Sequence, residues 1–322
     1  MPRSNIKAYI ALACVCFFWG TTFIASQIAA NSMPVAFVAG IRCILAGALL
    51  GTYFFGVKRY TLPSFKEMSI ISINGFLMIG LANTLLVWAL RYMPTNTASI
   101  ICASLPFWVL GLNLLLDKSK SDRVGGQILI GLVVGFAGLL IIFYDGLFVS
   151  TSEKFGFGLF LAVLCNVSWA LGMVLTKKHK VTANPFVVAT IQLLFTGIVM
   201  SVFGLLTTTD YSFLSFSNYQ AWLSILYLVT FGSITGYGAY IYALAHLPVT
   251  VVSLYTYINP LVAIFLGWWL LDEKLNVFTW LSVVLILLSV YVVNRGFRSN
   301  KKKEQAETET QAKKAVLEES FS

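Results

Sequence analysis

The chain has 322 residues, of which 58% are hydrophobic and only 11% charged, with a formal net charge of +9. Soluble domains carry about 25% charged residues, so this composition excludes a soluble globular enzyme. A nucleic-acid-binding reading of the basic balance is also poor, because the basic residues are spread through short loops and form no single patch.

Ten apolar stretches run in order along the chain: 8–30, 34–56, 68–90, 94–116, 124–144, 155–176, 184–206, 220–245, 248–271 and 276–294. Each is of a length to cross a hydrocarbon core of about 30 Å at 1.5 Å per helical residue. Span one follows Arg3 and Lys7 and contains Ala25, Ala29 and Ala30, which raises the question of a signal peptide. Its apolar run exceeds the roughly 7–15 residues of a signal core, so it is read as a retained helix. It offers Trp19, Thr22 and Ser26 at helical spacing.

Span two holds Arg42, the one charge inside a span. An arginine at the bilayer centre costs roughly 2.5–3.5 kcal/mol on the mildest scale. It either snorkels to the outer interface, attracts a substrate carboxylate, or stabilises a gate. Span three contributes Asn74, Asn83 and Trp88, and span four aligns Ser99, Ala103 and Pro106 on one face. Gly131 and Gly135 of span five suit close helix packing within the chain.

Span six carries Asn166, Trp169, Met173 and Thr176, while span seven places the uncharged Gln192 near the position equivalent to Arg42. Span eight carries Ser233, Tyr237 and Tyr240 with a Gly232–Gly236 pair, and span nine aligns Ser253, Tyr257 and Pro260. Neutral polar and aromatic side chains of this kind suit a pocket for a substrate with both apolar and hydrogen-bonding parts. Each taken singly also reads as helix-packing glue.

The two halves repeat one another. Ala89–Trp108 aligns without a gap on Ala243–Val262, pairing Pro94 with Pro248, Ser99 with Ser253 and Pro106 with Pro260. Trp19 and Trp169 form a weaker echo. A proline lacks its amide hydrogen and clashes with the carbonyl four residues back, here Cys102 and Thr256. In lipid such a carbonyl needs a neighbouring helix or a wet cavity, and its symmetric occurrence favours a cavity wall. Duplicated apolar halves are a mark of secondary transporters.

Alternate loops divide the 22 basic residues unevenly: one side carries only Arg91, Lys154 and Lys274. The positive-inside rule then places both termini and the 57–67, 117–123 and 177–183 loops in the cytoplasm. Five spans per half make the second half enter from the opposite face. The expected architecture is an all-α polytopic membrane protein of ten transmembrane helices, as two inverted five-helix repeats at 8–144 and 154–294. A polar cytoplasmic tail covers 295–322.

No aspartate or glutamate lies in any span core, and Cys14, Cys16, Cys43, Cys102 and Cys165 lack zinc-type spacing. No metal site or cofactor is expected, and no acid, histidine or metal constellation for a membrane enzyme is visible. A channel would show rings of charge or carbonyl filters, which are also missing. Without a buried acid, proton coupling through a carboxylate relay is not expected.

The segment WGTTFIASQIA from Trp19, the arginine at Arg42 and the paired proline helices together resemble the drug/metabolite transporter superfamily, specifically its EamA-type ten-helix members. The resemblance covers about residues 8–294 and includes an acidic residue closing the second proline helix, here Glu273. Asp117–Lys118 departs from the family pattern, with a basic residue after the usual acidic one. The resemblance implies a bacterial inner-membrane permease, often an exporter of amino acids, related metabolites or toxic compounds. It also implies a central cavity built by spans one, three, four, six, eight and nine. Uptake by the same fold is the nearest alternative. The expected partners are a small-molecule substrate and membrane lipid, with a monomer or dimer both open.

Overall fold

The structure, a computed structural model, describes residues 3–116, 126–144, 154–179, 181–215, 217–247, 255–289, 291–293, 295–296 and 299. Among these the chain is helical, with no strand. Five continuous helices are long and apolar enough to cross a membrane: Ile6–Ser32, Val35–Val57, Phe65–Ala89, Phe155–Thr176 and Pro185–Leu206. The spans expected elsewhere are shorter apolar helices, interrupted helices, or run into residues outside the description.

Local sequence sets the helix ends. Span two starts after Pro34, which lacks an amide hydrogen and sits in an extended conformation (φ −57°, ψ 132°). Span three starts at Ser64, whose hydroxyl accepts from Glu67 N (3.3 Å). Span seven starts at Asn184, which accepts from Phe186 N (2.9 Å) with Pro185 as the first helical residue.

Spans two and seven form the tightest helix pair. A Cβ added at Gly40 would strike the Ser201 backbone, at Gly197 the Ile44 backbone, and at Gly204 the Phe37 backbone. Glycine is therefore required by backbone contact. The glycines of span five face span ten, meeting Val293 and Ser289, and those of span eight face Thr22 and Trp19 of span one. Both glycine pairs thus pack within the chain.

Two buried clusters hold the bundle. One joins Leu90, Ile100, Ile101, Ala162, Ile264 and Ile286. The other joins Ala29, Met33, Val38, Cys43, Leu193 and Leu228. Large apolar side chains such as Leu49, Phe65, Leu206 and Trp269 point outward, the arrangement required where the solvent is hydrocarbon.

Spans three and eight each carry a π-helical segment, Phe76–Leu81 and Leu228–Gly236. Side chains hold carbonyls of both segments. Asn83 Nδ2 donates to Ile79 O (2.7 Å) and Ser168 Oγ to Leu77 O (2.7 Å). In span eight, Trp19 Nε1 donates to Gly232 O (3.2 Å). Such segments concentrate at functional sites, and these two border the same cavity.

Candidate functional site: a cavity shared by the two halves

A central cavity with about 1020 Å³ of empty space, open margin included, is walled by helices of both halves. Span one gives Trp19, Thr22 and Phe23; span three gives Ile79, Asn83 and Leu86; span four gives Ser99, Cys102 and Ala103. From the second half come Cys165, Asn166 and Trp169 of span six, Ser233 and Tyr237 of span eight, and Tyr255, Asn259 and Pro260 of span nine. Spans two and seven each add one residue, Arg42 and Leu193.

Span four does not simply kink at Pro106. Its helix ends at Cys102 and a new one starts at Leu105. Pro106 thereby falls in the first turn of the second piece, where its missing amide hydrogen costs nothing. The carbonyl held at the break is that of Ile101. Ser104 Oγ (2.6 Å) and Asn166 Nδ2 (2.7 Å) both donate to it, the second from the other half. Span nine, by contrast, runs unbroken through Pro260 from Tyr255 to Leu271. With its amide nitrogen turned toward them, Asn259 donates to Tyr255 O (3.1 Å) and Cys16 O (2.8 Å).

The start of span four is capped from the far end of span nine. Glu273 accepts from Thr95 N (2.6 Å), Thr95 Oγ1 (2.9 Å) and Asn96 N (3.1 Å), placing a negative charge on a helix N-terminus. Asp272 takes a left-handed conformation (φ 52°), and Glu273 N returns to Gly267 O (3.1 Å), which turns the carboxylate onto Thr95. Arg91 closes the end of span one, donating to Ala30 O (2.7 Å) and Met33 O (2.6 Å). Burial pulls its pKa below the ordinary arginine value.

Most neutral polar groups of the cavity are already committed. Thr22 Oγ1 donates to Trp19 O (2.7 Å), Ser99 Oγ to Asn96 O (2.7 Å) and Tyr237 OH to Gln192 Oε1 (3.1 Å). Arg42 Nη2 donates to Asn83 Oδ1 (3.0 Å), but its Nε is buried without an acceptor. The Ser233 hydroxyl is likewise buried without a partner.

Eleven sequence-predicted residues meet here: Trp19, Thr22, Arg42, Asn83, Ser99, Ala103, Asn166, Trp169, Ser233, Tyr237 and Pro260. Tyr240 lies one layer behind, its ring 5.3 Å from Trp19 and 5.8 Å from Tyr255. Trp88 sits outside the cavity, 36% exposed and packed edge-on against Phe157. Five residues beyond Asn83, it is turned about 140° around the helix. Pro106 and Tyr257 belong to described helices, but their side chains lie outside the described residues, as does Ser253 altogether. Tyr255 and Asn259 were missed. They share a face at i, i+4 spacing, which could have pointed to them.

The profile of the EamA-like transporter family matches residues 6–144 and again 156–295, so the chain belongs to that family and carries two repeats of its multi-span membrane fold. Its members are transporters, not enzymes. The uncharacterized inner membrane transporter YedA of Escherichia coli K12 is 25% identical over 297 residues, covering 91% of this chain and 92% of that one. The uncharacterized transporter YvbV of Bacillus subtilis is 28% identical over 307 residues, covering 94% and 95%. A solved crystal structure of a protein with 14% identity superposes with a TM-score of 0.61 over 90% of this chain and 96% of that one. That last likeness shows the fold alone.

Proposed function

We propose that this membrane transporter is an inner-membrane permease that exports small organic metabolites, amino acids or related compounds among them, by alternating access between two inverted five-helix repeats. The observation that carries the reading is the shared cavity: both repeats wall it, so a rocking of one against the other opens it to alternate sides. Loop contacts support the proposed grouping of loops on two sides, while the assignment of the basic side to the cytoplasm rests on charge. Glu67 accepts from Thr182 N (3.0 Å) and Oγ1 (2.8 Å), joining two loops assigned to the cytoplasm. Glu273 and Thr95 join two assigned to the outside.

The test is movement of radiolabelled amino acids and cationic dyes in proteoliposomes and in membrane vesicles of both orientations. Export predicts faster initial uptake, at saturating substrate, by inside-out than by right-side-out vesicles, and the opposite order would reverse the direction. With no carboxylate in the spans, transport is expected to run down the substrate's own gradient or by exchange. Strict dependence on an imposed pH gradient would defeat that expectation.

A further inference from the structure

We infer that the substrate of this cavity is a monoanion: an apolar body ending in one carboxylate, received by Arg42. The inference deepens the proposed function and rests on the cavity being the substrate site. Among the described residues Arg42 is the one charged side chain lining the cavity, and no aspartate or glutamate is present in any span to neutralise it. It donates to a neutral oxygen, Asn83 Oδ1, and also neighbours the Cys43 thiol, while its Nε has no acceptor. Arg42 is half-buried, and a cation within a membrane span is costly without a counter-ion; a bound carboxylate lowers that cost with charge-assisted bonds.

The guanidinium is also held in place. Asn83 donates its own amide to Ile79 O (2.7 Å) while accepting from Arg42 (3.0 Å), so the amide orientation is fixed and the guanidinium is tethered at one nitrogen. A planar guanidinium with donors to spare suits a carboxylate. The Ser233 hydroxyl, buried in the cavity wall without a partner, can also donate to an acceptor. Among the described residues of the wall none offers a carboxylate to an ammonium group. A zwitterion therefore gains at one end and is left unpaired at the other. The apolar body faces Trp19, Trp169 and Leu86.

The experiment is equilibrium binding of four radiolabelled probes to the purified full-length chain at neutral pH. They are N-acetylphenylalanine (anion), its primary amide (neutral), phenylalanine (zwitterion) and phenethyltrimethylammonium (cation). The anion is expected to bind at least about tenfold tighter than the amide, with the zwitterion and cation weaker than the anion. Arg42→Gln should erase the anion's advantage over the amide, and a gel-filtration profile matching that of the parent chain reports that the variant is folded. Arg42→Lys should keep part of the advantage. Equal binding of anion and amide, tightest binding by the cation, or an unchanged ratio in Arg42→Gln overturns the inference and leaves the cavity as a binding site. Binding of none of the four overturns both the inference and the cavity's role.

Discussion

Spans four and nine carry the same proline-centred sequence and answer it differently. Span four breaks between Cys102 and Leu105, and the buried Ile101 carbonyl accepts from Ser104 and from Asn166 of the other repeat. Span nine stays helical through Pro260, and Asn259 reaches across to Cys16 O of span one. A broken helix in a membrane survives only where a neighbour supplies donors. The sequence repeat is symmetric, but the neighbours are not. The same asymmetry holds for the charge: Arg42 pairs with Asn83 in the first repeat, and Gln192 with Tyr237 in the second.

The comparison can be broken most easily at the two asparagines. Asn166→Ala should cost roughly 1–3 kcal/mol of thermal stability in detergent, because it withdraws a donor from the carbonyl at a buried break. Asn259→Ala should cost less, about 0.5–1 kcal/mol, since its acceptors lie within continuous helices. Equal losses would mean that the break in span four is not what Asn166 supports.

Smaller still is the effect expected at the N-terminal end of span four. Glu273→Ala should cost about 1 kcal/mol, the usual worth of a helix cap. Thr95 and Asn96 amides should exchange faster with solvent deuterium in that variant. Unchanged protection at both would remove Glu273 from its capping role.

The prolines sharpen the comparison through transport rather than stability. Pro260→Ala supplies an amide hydrogen to the interior of a continuous helix, where proline is costly by about 3 kcal/mol. It should preserve or raise stability and lower the transport rate. Pro106→Ala should change both less, because a first-turn proline is well tolerated. A larger transport loss from Pro106→Ala than from Pro260→Ala would contradict this order.

The multi-span helical fold and its two repeats were legible in composition and in the paired prolines, because a bilayer imposes span length and polar satisfaction on any sequence. Ten cavity residues were legible as stripes along helix faces, and Arg42 as a lone charge. Trp88 misled because an interfacial tryptophan and a pocket tryptophan look alike in sequence, and only helix phase separates them. Span nine presents two polar faces, Ser253–Tyr257 and Tyr255–Asn259. Which one turns inward depends on packing against span one through contacts such as Gly20 with Val262. The break at Cys102–Leu105 was not legible, since its cause is a donor supplied from span six. The π segments also leave no mark in hydropathy.

The central claim is a water-accessible cavity walled by both repeats, and two native cysteines report on it directly. Cys102 is half-buried and Cys165 buried, both in the cavity wall, whereas Cys43 is fully buried in the second apolar cluster, outside that wall. Three chains, each retaining one of these cysteines and with serine at the other four, should be treated in membranes with a water-soluble, membrane-impermeant maleimide. The account predicts that Cys102 is modified, that a transported compound protects it, and that Cys43 stays inert. Labelling of Cys102 no faster than that of Cys43, or labelling unaffected by every transported compound, would contradict it.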